Sequence, residues 1–153
     1  YSLPGLRIGW LASRAPEVLD RCRELKDYTT ICSSAPSEVL ALIGLRNRQT
    51  LQDNNMDIIN SNLTLLDRFF DKHPEDFKWH RPAAGSIAFP ELLTGQTADA
   101  FCETLVEDSG ILLLPSSTYE YAPSDGRQHF RLGFGRRNMP EVLERLDDYL
   151  STR

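Results

Sequence analysis

Two arginines in this sequence have neighbours that constrain where the guanidinium group can point. Arg7 follows a Pro-Gly turn at Pro4 and Gly5, and Gly9 comes two residues later. Glycine lets a backbone approach another group closely, and a guanidinium binds an oxyanion such as phosphate through two parallel charge-assisted hydrogen bonds. Arg7 is therefore a candidate anion ligand. The alternative interpretation is an arginine on the surface, or in a salt bridge, beside a turn.

Arg131 lies in a segment in which aromatic and aliphatic residues occupy every second position. Successive side chains of a strand point to opposite faces, so Phe130, Leu132 and Phe134 are expected to face the core. Arg131 then emerges on the other face beside Gly133, which leaves room for bidentate capture of a small carboxylate. The alternative is an exposed arginine on a half-solvated sheet.

Helical periodicity dominates the first half of the sequence. Pro16 opens an amphipathic segment of about residues 16 to 27. A single long helix is predicted for residues 37–72, with Ser34 as a candidate cap. At 1.5 Å per residue this helix would be about 50 Å long. It therefore either reaches beyond its own domain or bends near residues 54 and 55.

The periodicity changes near residue 73, where short strands replace long helices. Thr97 is expected to cap a helix that Gly110 closes, and Asn138 to begin the last helix. The loop of residues 116–128 is the least patterned stretch, and such a loop is often functional. The element order predicts an α+β fold with a short sheet covered by helices. The strand candidates are residues 77–80, 85–89 (ended by Pro90), 111–114 and 130–134.

Composition argues against several classes of protein. The chain has 153 residues, of which 41% are hydrophobic and 25% charged. This length and this hydrophobic content are sufficient for one domain with a buried core. The net charge of -5 with dispersed basic residues argues against nucleic-acid binding. The longest apolar runs are far shorter than the roughly 20 residues that cross a bilayer. Three widely spaced cysteines indicate reduced thiols of a cytosolic protein, and the three histidines lack metal-ligand spacing.

Residues 1–10, YSLPGLRIGW, resemble the segment after the Schiff-base lysine in class I/II aminotransferases of fold type I, commonly written S-x-S-K-x-Y-G-L-P-G-L-R-x-G. The later stretches GSIAFP, GILLLPSS and FRLGF resemble the small C-terminal domain of that family in order and spacing. The resemblance covers essentially the whole chain, and its first part is the most specific. Ser2 replaces the usual glycine, and an SSTY turn at residues 116–119 replaces a more common glycine-containing one.

This resemblance implies an enzyme that uses pyridoxal 5'-phosphate to transfer an amino group between an amino acid and a 2-oxo acid. It implies that Arg7 binds the cofactor phosphate and Arg131 the substrate α-carboxylate. The lysine falls two positions before Tyr1, so we expect the chain to hold no catalytic residue and to be inactive alone. The full-length protein is expected to be a cytoplasmic homodimer without metal.

The resemblance also implies three parts: a remnant of the large cofactor-binding domain (residues 1–36), a long inter-domain helix (residues 37–72) and a small C-terminal α+β domain (residues 73–153). A C-S lyase or a decarboxylase of the same fold would carry the same two arginines. A transcription regulator with an aminotransferase-like, cofactor-sensing domain would carry a DNA-binding domain upstream. A free-standing binding domain is the remaining alternative.

Overall fold

The computed structural model describes residues 1–119 and 126–152 and divides the chain into two compact units, Tyr1–Asn55 and Met56–Arg153. Residues 120–125, within the loop predicted to be functional, lie outside the described residues. The order of helices and strands confirms the α+β prediction. No helix in the described ranges is long and apolar enough to cross a membrane.

The predicted long helix is interrupted, and this part of the prediction was wrong. Helix α1 spans Pro16–Thr29, α2 spans Ala35–Arg46 and α3 spans Arg48–Lys72. Asn47 separates the last two helices, and its Nδ2 donates a hydrogen bond to the Ile43 carbonyl oxygen at 2.8 Å. The backbone N–H of Asn47 donates to the same oxygen at 3.1 Å, so the Ile43 carbonyl accepts from both the main chain and the side chain at the break. Ser34 lies at the N-cap of α2 but makes no capping hydrogen bond.

The first unit lacks a buried apolar core. Between Tyr1 and Asn55, every residue of which is described, the single buried residue is Gly44. Large hydrophobic side chains are exposed instead, and Trp10 and Tyr28 retain 71% and 89% of their accessible surface. Contiguous exposed apolar surface favours association. The other large exposed hydrophobic residues of this unit are Tyr1, Leu3, Leu11, Val18, Leu25, Ile31, Val39, Leu40, Leu42 and Ile43.

We therefore expect the isolated chain to self-associate through its first unit. Light scattering across a concentration series should show an average mass that rises with concentration. Ile43→Glu, which places a charge on the exposed apolar surface of α2, should reduce this rise. Asn54→Glu adds the same charge at an exposed polar position and serves as the control. A monomer that persists at high concentration would contradict the expectation.

The second unit is built around an antiparallel sheet whose central strand is β5, Gln128–Gly133. β5 pairs with β2 (Ile87–Ala88) and β3 (Glu91–Leu92) on one edge and with β4 (Leu114–Pro115) on the other. The predicted strand at 111–114 is reduced to β4, and β3 was not predicted because Pro90 suggested an end. Pro90 lacks an N–H but still accepts a hydrogen bond from the Phe130 N–H at 3.2 Å, so the ladder continues. The remaining strand, β1 (Phe77–Lys78), pairs with β3.

One face of β5 forms the centre of the core. Phe130, Leu132 and Phe134 are exposed by only 1%, 4% and 0%, which confirms the prediction from alternation. They belong to one cluster with residues of α3, of α4 (Ala98–Ser109) and of α5 (Met139–Ser151). Thr97 caps α4 as predicted, since its hydroxyl accepts from the Ala100 N–H at 3.2 Å. Asn138 precedes α5 without a side-chain cap.

A cluster of charges joins the end of α3 to α5. The Asp147 carboxylate accepts hydrogen bonds from Lys72 Nζ at 2.5 and 2.6 Å and from His73 Nε2 at 2.7 Å. The other ring nitrogen of His73 lies 3.6 Å from the Asp76 carboxylate. The hydrogen bonds from Lys72 and then His73 lower the pKa of Asp147 from its usual value of 3.8. The charged form of Asp147 is therefore stabilised in the folded state.

Because the folded-state pKa of Asp147 is lowered, its stabilising contribution is present above the unfolded-state pKa and is lost as the pH falls through the folded-state pKa. Asp147→Asn should lower the free energy of unfolding by about 1 kcal/mol at neutral pH. The difference from the unmodified chain should shrink below about pH 4. Urea unfolding at several pH values measures both effects. Asp148→Asn, at the exposed neighbouring carboxylate, is the control, and an equal effect there would contradict this explanation.

Candidate functional site

Arg131 lies in the middle of β5, on the face opposite the core, and its side chain is half-buried. Leu114 of β4 is its cross-strand partner on one edge. On the other edge the register runs from Ala88↔Leu132 to Glu91↔His129, which places Phe89 opposite Arg131. Within residues 1–119 and 126–152, the guanidinium group makes neither a hydrogen bond nor an ion pair. A half-buried cation of this kind is suited to bind an anion.

Asn62 of α3 holds the chain just after β5. This residue is only 4% exposed. Its Nδ2 donates to the carbonyl oxygens of Phe134 at 2.8 Å and Arg136 at 2.7 Å. On the neighbouring strand, the Ser86 carbonyl accepts from the Phe134 N–H at 2.8 Å. The end of the strand that carries Arg131 is therefore attached to a helix on one side and to a strand on the other.

Replacing Asn62 by leucine should leave two carbonyl groups without their donor while changing side-chain volume little. We expect the free energy of unfolding of the second unit to fall by about 1 to 3 kcal/mol. Chemical denaturation followed by tryptophan fluorescence measures the change. Asn60→Leu makes the same substitution at an exposed position of the same helix and should have a small effect. Equal losses in both variants would show that the buried hydrogen bonds are not the cause.

Arg7 is presented by a short 3₁₀ turn, Pro4–Leu6, and is exposed. Its backbone is left-handed, with φ 52° and ψ 31°, and its N–H donates to the Pro4 carbonyl at 3.2 Å. The guanidinium Nη1 reaches the same carbonyl at 3.3 Å. Among the described residues it forms no ion pair, so most of its donors remain available to an anion.

The two candidate arginines belong to different units, and each forms its own local environment. Three rings from separate segments accompany Arg131 in the second unit. The Phe89 and His129 rings are stacked, with centroids 5.4 Å apart and an 8° angle between planes. Tyr119 approaches Phe89 edge-on at 6.5 Å. In the described parts of the chain, no group of three or more potential metal ligands is found.

Sequence reasoning missed these rings and Asn62, although both left a signal. His129 precedes Arg131 by two residues in the alternating segment and so shares its face of β5. Asn62 occupies a buried position of α3 four residues before Leu66, where an apolar side chain is expected. A polar residue at such a position indicates a buried hydrogen-bond partner elsewhere in the fold. The identity of that partner required the tertiary structure.

The pattern of helices and sheet agrees with that of a known family. The chain belongs to the family of class I and II aminotransferases, whose model matches residues 1–146. A solved structure of a PLP-dependent aminotransferase from Streptococcus suis 89-1591 superposes with a TM-score of 0.86 and 33% sequence identity. That match covers 99% of this chain and 39% of the other.

Two curated relatives extend the comparison. The L-aspartate:5-guanidino-3-methyl-2-oxopentanoate transaminase of Pseudomonas syringae pv. syringae is 26% identical over 136 residues. The capreomycidine synthase of Streptomyces vinaceus is 25% identical over 134 residues. Each match covers 88% of this chain, and the chain spans 33% of the length of each relative.

Proposed function

We propose that this chain is the C-terminal part of a pyridoxal-phosphate-dependent aminotransferase that transfers an amino group between an amino acid and a 2-oxo acid. The family match and the PLP-dependent structural neighbour support the reaction class and the cofactor. The observation that carries the proposal is Arg131, a half-buried cation on the central strand without an anionic partner among the described residues. A substrate carboxylate would supply that partner.

The chemistry of the two arginines fits two different anions. A guanidinium offers five donors in a planar fork that matches both phosphate and carboxylate oxygens. Arg7, exposed on a turn, would hold the cofactor phosphate, and Arg131 would hold and orient the substrate α-carboxylate. When bound, the cofactor acts as the electron sink for bond breaking at the substrate Cα. The protein residues then contribute binding and orientation rather than the bond-breaking chemistry itself.

The lysine required by the family pattern is proposed to lie in polypeptide that precedes Tyr1. The lysines within the chain support this assignment, because Lys26, Lys72 and Lys78 all lie far from the position that the family pattern gives to this residue. Lys72 is bound to Asp147, Lys78 lies 3.8 Å from Glu91, and Lys26 contacts two hydroxyl groups. We infer that the chain alone is inactive.

The proposed division into parts follows the same reasoning. The exposed apolar residues of the first unit support the assignment of residues 1–36 to a larger domain. Residues 37–72 are proposed to link the two domains and are seen as two helices, the second of which also packs into the core of the second unit. Residues 73–153 are proposed to form the small domain. We further propose a cytoplasmic homodimer, with a 2-oxo acid as the amino-group acceptor. A lyase or decarboxylase of the same fold would retain both arginines, so the reaction products must be analysed to distinguish these activities from transamination.

The proposal is tested in the full-length protein with separate arginine-to-lysine variants. Arg131→Lys keeps the charge but loses the fork, so transition-state binding of an amino acid should weaken by roughly 2 kcal/mol. Its cofactor affinity should barely change. Arg7→Lys should have the reverse pattern and bind the cofactor more weakly. Cofactor titration and single-turnover rates with an amino acid measure the two effects.

Arg137→Lys, at an exposed arginine beyond the strand, is the matched control and should affect neither quantity. If Arg131→Lys transaminates at the parental rate, or loses cofactor as strongly as Arg7→Lys, Arg131 does not bind the carboxylate. A product analysis that shows ammonia or carbon dioxide in place of a 2-oxo acid would assign lyase or decarboxylase chemistry instead.

A further inference from the structure

The face of the sheet around Arg131 is defined by one continuous register. Strands β2 and β3 pair with β5 in the same antiparallel register. The pairs run from Ile87↔Gly133 through Ala88↔Leu132 to Glu91↔His129. Phe89 is thereby placed opposite Arg131, and His129 is the diagonal neighbour on the same face. Side chains directly opposite each other in an antiparallel pair have Cβ atoms roughly 5 Å apart. A molecule held by Arg131 is therefore close to the Phe89 ring.

The rings of Phe89, Tyr119 and His129 form a surface that we call the aromatic wall. Stacking on His129 fixes the plane of Phe89, and the edge-on approach of Tyr119 limits its rotation. Phe89 and Tyr119 nevertheless remain 38% and 46% exposed. The wall is thus an oriented aromatic surface on the sheet face that carries Arg131, and part of it is accessible.

We propose that the aromatic wall contacts the side chain of the substrate whose carboxylate Arg131 binds, and that it selects amino acids with a flat, weakly hydrated side-chain group. An aromatic ring and a guanidinium are the two groups with this property. Both stack favourably on aromatic faces. This inference rests on the proposed function of Arg131.

A carboxylate side chain would be disfavoured at the same place. The Phe89 ring offers a carboxylate no hydrogen-bond donor, so a carboxylate placed on that ring would lose hydration without compensation, which is costly for a charged group. A short aliphatic side chain would gain only the area that it buries and would not benefit from ring orientation. The wall therefore predicts a rank order among ligands that share one carboxylate and differ in the group at the other end.

The test uses calorimetric binding of four carboxylates to the full-length holoenzyme. The probes are 3-phenylpropionate, 4-guanidinobutyrate, butyrate and glutarate, none of which carries an amino group that could react. We expect at least one of the two flat probes to bind more tightly than butyrate and glutarate. Phe89→Leu, which retains apolar volume without the ring, should weaken that flat probe about threefold to tenfold. Butyrate binding should be nearly unchanged, and Phe89→Tyr should restore the preference.

Leu112→Ala is the matched control, because Leu112 is 72% exposed and lies outside the aromatic wall. Loss of only 3-phenylpropionate binding in Phe89→Leu would identify an aromatic substrate, and loss of only 4-guanidinobutyrate binding a guanidinium substrate. If Arg131→Lys weakens all four probes but Phe89→Leu changes them equally or not at all, the inference about the wall is wrong. If Arg131→Lys weakens none of them, the proposed function of Arg131 fails and the inference fails with it.

Discussion

Strand β5 imposes the constraint on which the second unit depends. It is hydrogen-bonded on both edges, so its backbone can neither slip nor rotate without breaking two ladders. A shift of one residue would exchange the two faces, moving Phe130 and Leu132 out of the core and Arg131 into it. The apolar core and the position of the guanidinium are therefore consequences of the same register. Burial of the phenylalanine rings supplies the free energy that keeps Arg131 on the opposite face.

Buried hydrogen bonds further restrict the position of β5. Asn62 satisfies two carbonyl groups just beyond β5 with a single amide, and the position of the strand end thus follows that of α3. Burial of an amide is unfavourable unless its hydrogen bonds are made, so a displaced strand would leave several polar groups unpaired. Apolar packing alone tolerates small shifts more readily than this arrangement does. The asparagine therefore links the long helix to the placement of the carboxylate-binding candidate.

The parts of this architecture that could be predicted are those with strong local signals. Alternation in residues 130–134 identified the buried face of β5, and Thr97 and Gly110 marked the ends of α4. The break at Asn47 was missed because it comprises a single residue and helical periodicity continues across it. β3 was missed because the ladder uses the carbonyl group of Pro90 and needs no N–H there. The aromatic wall unites residues of three distant segments, and sequence spacing places only His129 on the face of Arg131.

The first unit combines strained backbone conformations with the absence of a buried apolar core. Ser2 and Arg7 adopt positive φ values of 53° and 52°, a conformation that costs a non-glycine residue roughly 1 to 2 kcal/mol. Such strain persists only where surrounding structure over-determines it. Between Tyr1 and Asn55, however, no hydrophobic side chain is buried to supply that support. Under the proposed function, the larger domain to which residues 1–36 are assigned would provide this support to the turn that presents Arg7.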